Sequence, residues 1–222
     1  MRYLCAVILL TLGCASAPEH HSRYLALGDS YTIGESVAVA DRYPVQLARE
    51  LKLGEPEIIA KTGWTTDELN AAIDKAMVKA DPHGPYDLVT LLIGVNNQYR
   101  GRDVRNYRTE FGALLQRAIA LAGDRPAHVV VVSIPDWAVT PFGRSSGRDT
   151  SLMSLELDLY NAANAQIAGA LHARYCDVTL ASRDRGDHRD MLVGDGLHPS
   201  ASMYRRWLNA ILPQARAALG AA

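Results

Sequence analysis

In residues 23–30, RYLALGDS, an apolar run from Arg23 to Leu27 ends in Gly-Asp-Ser. An uninterrupted apolar run of this length, closed by a glycine and two short polar residues, predicts a strand buried on both faces and a tight turn into a helix. The hydroxyl of Ser30 then lies beyond the carboxyl end of that strand. In an open parallel sheet, this edge is where ligands bind.

Four more apolar runs, rich in β-branched residues, follow at residues 57–60, 88–93, 129–134 and 176–180. Segments with helical periodicity separate them. Strands that alternate with helices in this way favour βαβ units and a parallel sheet. We therefore predict an α/β fold of three layers, an α/β/α sandwich in which helices cover both faces of a central five-stranded parallel sheet.

The segments between the predicted strands carry apolar stripes at three- and four-residue spacing, and this spacing indicates helices that cover the sheet. Thr65 and Glu68 fit a capping box that would begin a helix directly behind Gly63. The stripes are Leu69, Ala72, Ile73, Ala76 and Met77; Phe111, Leu114, Leu115, Ala118 and Ile119; Leu152, Leu155, Leu159, Ala162 and Ala163; and Met203, Trp207 and Ile211.

Length and composition limit the class of protein. The chain has 222 residues, 48% of them hydrophobic, and a formal net charge of -1. It lacks the excess of basic residues that binding to nucleic acid requires, so we expect no nucleic-acid partner. No repeat or long low-complexity tract interrupts the body, and residues 22–222 are predicted to form one domain.

Residues 1–17 have the layout of an export signal. A short basic start precedes an apolar stretch, Leu4 to Leu12, that is too short to span a membrane, and small residues follow it. The segment ending at Cys14 resembles a bacterial lipobox, although Thr11 stands where that motif usually has leucine. Lipid attachment at Cys14, which would tether the protein to a membrane, and cleavage after Ala15 both fit. We expect an exported protein of the bacterial periplasm or cell envelope.

Three side chains in the body suit acyl-transfer chemistry. A serine hydroxyl is a poor nucleophile at neutral pH unless an imidazole removes its proton and a carboxylate orients the imidazole. Asp195-Gly-Leu-His198-Pro, in the polar region after the fifth predicted strand, supplies both partners. Taken alone, Ser30 also fits the cap of a helix, and residues 195–199 also fit a plain turn. Together they predict Ser30 as nucleophile, His198 as general base and Asp195 as the orienting carboxylate.

Gly63 and Asn96 follow the second and third predicted strands, so parallel topology would bring them to the edge that carries Ser30. A glycine N–H can approach a substrate oxygen closely, and an asparagine amide can donate a hydrogen bond to it. We predict that both stabilise a developing oxyanion. A turn glycine and a loop asparagine are the plain alternatives.

Four segments in this order resemble the conserved blocks of the SGNH, or GDSL-type, serine hydrolase family: residues 28–30 (GDS), Gly63, residues 94–97 (GVNN) and residues 195–198 (DGLH). The resemblance implies a flavodoxin-like α/β/α fold and a triad of Ser30, His198 and Asp195. It also implies an oxyanion hole formed by the N–H groups of Ser30 and Gly63 and the side chain of Asn96. Tyr31 stands where the motif's name has leucine, which bears on the substrate more than on catalysis.

Trp64 and Asn97 adjoin Gly63 and Asn96 in sequence, and Trp137 and Phe142 lie in the segment after the fourth predicted strand. We consider all four candidate lining residues of a substrate pocket. The same aromatic residues would also suit anchors for their loops. The pattern Gly143-x-Ser145-x-Gly147 satisfies the elbow motif of α/β-hydrolases, but it does not directly follow a strand, so Ser145 is not assigned as nucleophile.

The sequence therefore predicts an exported esterase that forms an acyl-Ser30 intermediate and uses no metal and no organic cofactor. The acidic residues between 184 and 190 match no calcium-loop spacing. The expected substrate is an acyl ester of a small molecule or a glycan, with a short acyl chain because no lid insertion is evident. The alternative is a non-catalytic envelope protein that holds a carbohydrate or lipid in the same crevice; a nucleophile matched to a base argues against it.

Overall fold

One parallel sheet forms the centre of the molecule. The computed structural model describes residues 22–79 and 85–220. Within them the sheet has five strands in the order β2-β1-β3-β4-β5, which confirms the predicted fold class and is the flavodoxin-like order. Every residue of β1, β3 and β4 is buried, as expected when helices cover both faces. The strands are β1 Tyr24–Gly28, β2 Glu57–Ala60, β3 Leu88–Leu92, β4 Val129–Val132 and β5 Arg174–Cys176.

Helices pack on both faces of the sheet. In the described residues, α3, α5 and α7 pack side by side on one face, and α2 and α9 pack together on the other. The helices are α1 Ser30–Ile33, α2 Tyr43–Leu51, α3 Thr66–Lys79, α4 Val95–Tyr99, α5 Val104–Leu121, α6 Pro141–Ser145, α7 Thr150–Ala170, α8 Thr179–Arg185 and α9 Ala201–Ala218.

The helix starts next to the site follow from local sequence. The N–H and the hydroxyl of Thr65 both donate to Glu68 Oε2, each at 2.9 Å, so the capping contact predicted for α3 is present. At α9, the Ser200 hydroxyl oxygen accepts the Met203 N–H at 3.4 Å. These caps fix where the chain leaves each loop and enters a helix.

The fifth strand lies earlier than predicted. It covers Arg174–Cys176, whereas the apolar run at 176–180 indicated a strand there. Ser133 Oγ, just after β4, accepts the N–H of Thr179 at 3.2 Å, and the chain turns into α8 at that point. Leu180 consequently lies on α8 with 67% of its surface exposed.

The helix predicted from the third stripe is present as α7, but the leucines of that stripe do not lie on its buried face. Leu152, Leu155 and Leu159 are 55%, 62% and 60% exposed. The buried face instead includes Asn161 and Asn164. Asn161 bonds both the N–H and the C=O of residue 134, whereas Asn164 Oδ1 accepts a tyrosine hydroxyl at 2.7 Å and its Nδ2 has no hydrogen-bond partner among the described residues. Apolar spacing does not indicate a helix face that buries polar side chains in this way.

The other stripes are confirmed at their centres, where Leu69, Ile73, Phe111, Leu115 and Trp207 are fully buried. In the described part of the chain, no helix combines the length and the apolar character needed to cross a bilayer. The predicted export signal, with Cys14, lies outside the described residues.

Candidate active site

The register of the central strands brings three loops to one edge of the sheet. Gly28, the last residue of β1, pairs with Ala60 of β2 on one side and with Leu92 of β3 on the other. All three strands therefore end at the same level. Ser30, Gly63 and Asn96 follow these ends by two, three and four residues, so topology alone makes their loops neighbours.

The turn that carries Ser30 is sterically fixed. A Cβ at Gly28 would lie 2.1 Å from Thr32 Oγ1 and 2.4 Å from the Leu92 carbonyl oxygen, so only glycine fits at the end of β1. Asp29 Oδ1 accepts the Tyr31 N–H at 3.0 Å and caps α1. Ser30 is the first residue of α1 and is 5% exposed. The turn therefore holds this hydroxyl in a defined place.

His198 and Asp195 form a directly bonded pair. His198 Nδ1 lies 2.6 Å from Asp195 Oδ2, and Asp195 Oδ1 accepts the N–H groups of Leu197 and His198 at 2.8 and 2.9 Å. Partial burial raises the pKa of Asp195, but the hydrogen bond to His198 and the two N–H bonds outweigh it and hold the pKa below its usual value. The carboxylate thus stays ionised and fixes which ring nitrogen of His198 carries a proton.

The loop that carries this pair is braced by its own backbone and by a neighbour. The Val193 N–H donates to the His198 carbonyl at 2.9 Å, and a single bridge joins Leu192 to Pro199. The Phe142 N–H donates to the Gly196 carbonyl at 3.0 Å. The imidazole also packs on the ring of Tyr31, with centroids 5.7 Å apart. The loop is therefore held by α6, and the imidazole ring packs against α1.

The loop around Gly63 is clamped by α4. Gly63 has a φ of +86°, a backbone conformation that favours glycine. Arg100 Nη2 donates to the Gly63 carbonyl at 2.6 Å, and Asn96 Nδ2 donates to the Trp64 carbonyl at 2.9 Å. These two bonds fix the orientation of the two peptide groups that flank Trp64. An asparagine amide has two N–H groups, so the bond to Trp64 leaves one for another acceptor.

These loops enclose a cavity of about 210 Å³, which Ser30 and His198 both line. Its wall is mostly apolar, as is usual for small-molecule sites. The polar or reactive lining residues are Ser30, Thr62, Gly63, Asn96 and His198, and the apolar ones are Tyr31, Val95, Tyr99, Trp137, Phe142 and Leu197.

No group of three or more His, Cys, Asp or Glu side chains within residues 22–79 and 85–220 is arranged to hold a metal ion. Two of the acidic side chains between 184 and 190 form ion pairs with arginines. Asp184 contacts Arg206 at 2.5 Å, and Asp187 contacts Arg144 at 3.7 Å.

Comparison with known families decides the assignment. The profile of the GDSL-like lipase/acylhydrolase family matches residues 26–206, which is most of the chain. The chain belongs to this family. The recognition made from the four sequence blocks is thereby confirmed.

Solved structures agree with this GDSL-like fold. TesA has a TM-score of 0.67 and 17% identity, over 89% of this chain and 100% of its own. The esterase EstA from Pseudoalteromonas sp., inhibited by monoethylphosphonate, has a TM-score of 0.64 and 16% identity, over 90% and 99%. Axe2, an acetylxylan esterase from Geobacillus stearothermophilus, has a TM-score of 0.63 and 19% identity, over 87% and 94%. At these identities the likeness shows the fold. No curated protein sequence matches the chain.

The four suggested pocket residues of this GDSL-like protein divide into two pairs. Trp137 and Phe142 line the cavity, but Trp64 and Asn97 do not. Asn97 is fully buried, its Oδ1 accepts the Thr66 N–H at 3.1 Å, and its Nδ2 donates to the Thr66 hydroxyl at 2.7 Å. It secures the start of α3, so its amide is unavailable to a substrate. Trp64 contributes its carbonyl to Asn96 while its ring packs against the core.

Sequence reasoning missed Thr62, Tyr99 and Arg100. Tyr99 lines the cavity three residues after Asn96, a helical spacing that could have indicated it. Nothing in the sequence indicates the role of Arg100, because this role depends on a carbonyl in another loop. Ser145 lies in the short helix α6, where its hydroxyl donates to the Phe142 carbonyl at 2.9 Å, and it does not line the cavity.

Proposed function

We propose that this GDSL-like acylhydrolase is a serine esterase that cleaves carboxylic esters through an acyl-Ser30 intermediate. The observation that carries the proposal is the sharing of one cavity by Ser30, His198, Gly63 and Asn96, with Asp195 bonded to the far side of the imidazole. A binding protein would have no need for a carboxylate that fixes the tautomer of a histidine beside a serine.

The first half of the reaction forms the acyl-enzyme. With its Nδ1–H donated to Asp195, His198 presents an unprotonated Nε2 that takes the proton of Ser30 as the serine oxygen bonds the ester carbon. The carbonyl oxygen gains charge and is met by N–H donors at Ser30, Gly63 and Asn96. The carbon–oxygen bond to the alcohol then breaks, and His198 returns its proton to the departing alkoxide.

The second half releases the acid. Water enters where the alcohol left, gives a proton to His198 and bonds the acyl carbon. The same donors stabilise the second tetrahedral intermediate. Its collapse breaks the bond to Ser30, whose oxygen recovers the proton from His198. No group outside the chain, the ester and water is required for the balance.

We propose that the substrate carries a short acyl chain. The support is the set of aromatic side chains, Tyr99, Trp137 and Phe142, that lines the cavity of about 210 Å³ beside Ser30 and His198. The alcohol part can belong to a small molecule or to a glycan, and the fold shared with an acetylxylan esterase is compatible with the second choice. No nucleic-acid partner is proposed.

We propose an exported location in the bacterial periplasm or cell envelope, with attachment to a membrane through a lipid on Cys14. The support is the sequence of residues 1–17 alone. Mass spectrometry of the mature N-terminus tests it. A diacylated Cys14 supports attachment, and a free N-terminus at residue 16 excludes it.

The catalytic proposal is tested with nitrophenyl esters of graded acyl length and three proteins: the wild type, Ser30→Ala and Ser145→Ala. We expect turnover in the wild type and in Ser145→Ala and none above background in Ser30→Ala. Turnover that persists in Ser30→Ala would overturn the assignment of the nucleophile. A folded wild type that binds esters without hydrolysing any would favour the binding-protein alternative.

A further inference from the structure

Trp137 in the cavity wall belongs to a closed cycle of contacts. Its Nε1–H donates to Gln98 Oε1 at 2.8 Å, and Gln98 Nε2 donates to Glu156 Oε2 at 2.7 Å. Arg148 Nη2 donates to the same Glu156 oxygen at 3.1 Å, and the Arg148 guanidinium lies over the Trp137 ring, 5.5 Å from its centroid. Each member therefore contacts two others.

The cycle fixes the orientation of a large side chain that could otherwise rotate. Trp137 is 2% exposed, so its indole N–H needs a partner inside the protein, and Gln98 provides it. Gln98 is itself 2% exposed, and the carboxylate of Glu156 determines which end of its amide faces the indole. Tyr99 packs edge-on against the same ring at 5.3 Å. The indole is therefore a stiff part of the cavity wall.

The contacts of Trp137 connect it to the residues at the reacting atoms. Asn96 and Tyr99 lie three residues apart on α4 and so on the same side of it, and Tyr99 packs on Trp137. Both rings line the cavity together with Ser30 and His198. The departing alcohol of an ester must lie near His198, which protonates it, so the acyl chain is the substituent left to contact the Asn96 side of the cavity, where these rings lie.

We propose that Trp137 sets the longest acyl chain that the cavity accepts, and that Gln98, Glu156 and Arg148 are positioning residues that keep its ring in place. This inference rests on the proposed esterase function. A stiff wall gives a sharp limit on chain length, because close-packed side chains cannot yield to an extra methylene without strain.

The test compares two ester series in each protein: acyl chains of increasing length on one nitrophenol, and acetates of alcohols of increasing length. The quantity compared is the ratio of kcat/KM for the longest ester to kcat/KM for the shortest within one protein. This ratio is independent of the fraction of protein that is folded. A partly unfolded variant therefore cannot mimic the effect.

Trp137→Leu replaces the indole by a smaller apolar side chain and so enlarges the cavity. We therefore expect the ratio measured in the acyl series, the acyl ratio, to rise. Each methylene newly accommodated is worth up to about fourfold, so a rise of at least about tenfold over the series is expected. The ratio in the alcohol series should stay constant. An unchanged acyl ratio, or a change confined to the alcohol series, would overturn the role of Trp137.

The positioning role is tested at Glu156, a partly exposed residue on α7, where alanine keeps a high helix propensity. Glu156→Ala should raise the acyl ratio by about two- to fivefold, a smaller effect than that of Trp137→Leu because the indole remains. Glu156→Gln keeps an acceptor for Gln98 and should restore most of the wild-type ratio. Asp74→Ala, which breaks a comparable ion pair with Arg117 on α3 and α5, is the matched control.

The outcomes separate this inference from the function on which it rests. A raised acyl ratio in Glu156→Ala but not in Asp74→Ala supports the cycle, even where Trp137→Leu does not fold. Equal ratios in Glu156→Ala and the wild type would overturn the positioning role. If the wild type hydrolyses no ester at all, the proposed function fails first, and the inference fails with it.

Discussion

The carboxyl group of Asp29 should make the protein less stable as pH rises towards neutrality. It is fully buried next to Ser30, and burial raises its pKa from 3.8 to about 7, although the Tyr31 N–H bond acts in the opposite direction. Its Oδ2 has no hydrogen-bond partner among the described residues. Because an unpaired buried carboxylate is costly, the folded protein keeps a proton that the unfolded chain releases.

The size of the effect follows from linkage. Between about pH 4, near the unfolded pKa, and about pH 7, the folded state binds more protons than the unfolded state, so the free energy of unfolding falls as pH rises. At about 1.36 kcal/mol for each pH unit, the total fall reaches about 4 kcal/mol. Asp29→Asn keeps an oxygen for the Tyr31 N–H and cannot ionise. The free energy of unfolding of this variant should therefore not show this decrease.

Urea unfolding of the wild type and Asp29→Asn from about pH 4 to about pH 8 measures the difference. The free energy of unfolding of the variant minus that of the wild type should rise by up to about 4 kcal/mol across this range. A cost of the buried amide that does not depend on pH shifts this difference equally at every pH and leaves the rise unchanged. Asp74→Asn, at an exposed carboxyl on α3, controls for the loss of one negative charge. A difference between Asp29→Asn and the wild type that stays constant with pH would refute the reasoning, because Asp29 would then titrate alike in both states.

Three further substitutions test the site. Asp195→Asn should lower kcat/KM for a short-chain ester by about 10⁴-fold, because the amide no longer fixes the productive imidazole tautomer; a loss below about tenfold would contradict this role. Arg100→Met removes the guanidinium that donates to the Gly63 carbonyl at 2.6 Å, and steady-state kinetics should show kcat about tenfold lower with KM little changed. An unchanged kcat would argue against the clamp. Gly28→Ala places a Cβ 2.4 Å from the Leu92 carbonyl and should lower the free energy of unfolding by about 1–3 kcal/mol in urea; a neutral result would contradict the close packing.

The sheet was predictable because its signals are local. Apolar β-branched runs, each bounded by polar or glycine residues, identify strands without knowledge of their neighbours, and parallel topology then brings the segments after β1, β2 and β3 together. The meeting of Ser30, Gly63 and Asn96 followed from that rule. The prediction of the fifth strand was wrong because the side chains of Ser133 and Asp177 both accept the Thr179 N–H, and α8 begins at that point.

What could not be predicted depends on partners distant in sequence. The buried face of α7 includes Asn161 and Asn164, whose hydrogen bonds come from residues 134 and 107. The prediction that Asn97 lines the pocket is wrong, because nothing in the sequence shows the bonds of its amide to Thr66, 31 residues away. The same holds for the cycle around Trp137. Hydrogen bonds between residues distant in sequence determine which polar side chains are buried, and the spacing of apolar residues does not reveal these bonds.

The central claim is that Ser30 is a nucleophile activated by His198, and its most direct test is the site of reaction with a fluorophosphonate. Intact-mass and peptide-level spectrometry of the treated wild type should find one adduct, on the peptide that contains Ser30. The adduct should be absent from Ser30→Ala and form at least about 100-fold more slowly in His198→Ala. An adduct on another residue, or none on a folded wild type, would contradict the claim.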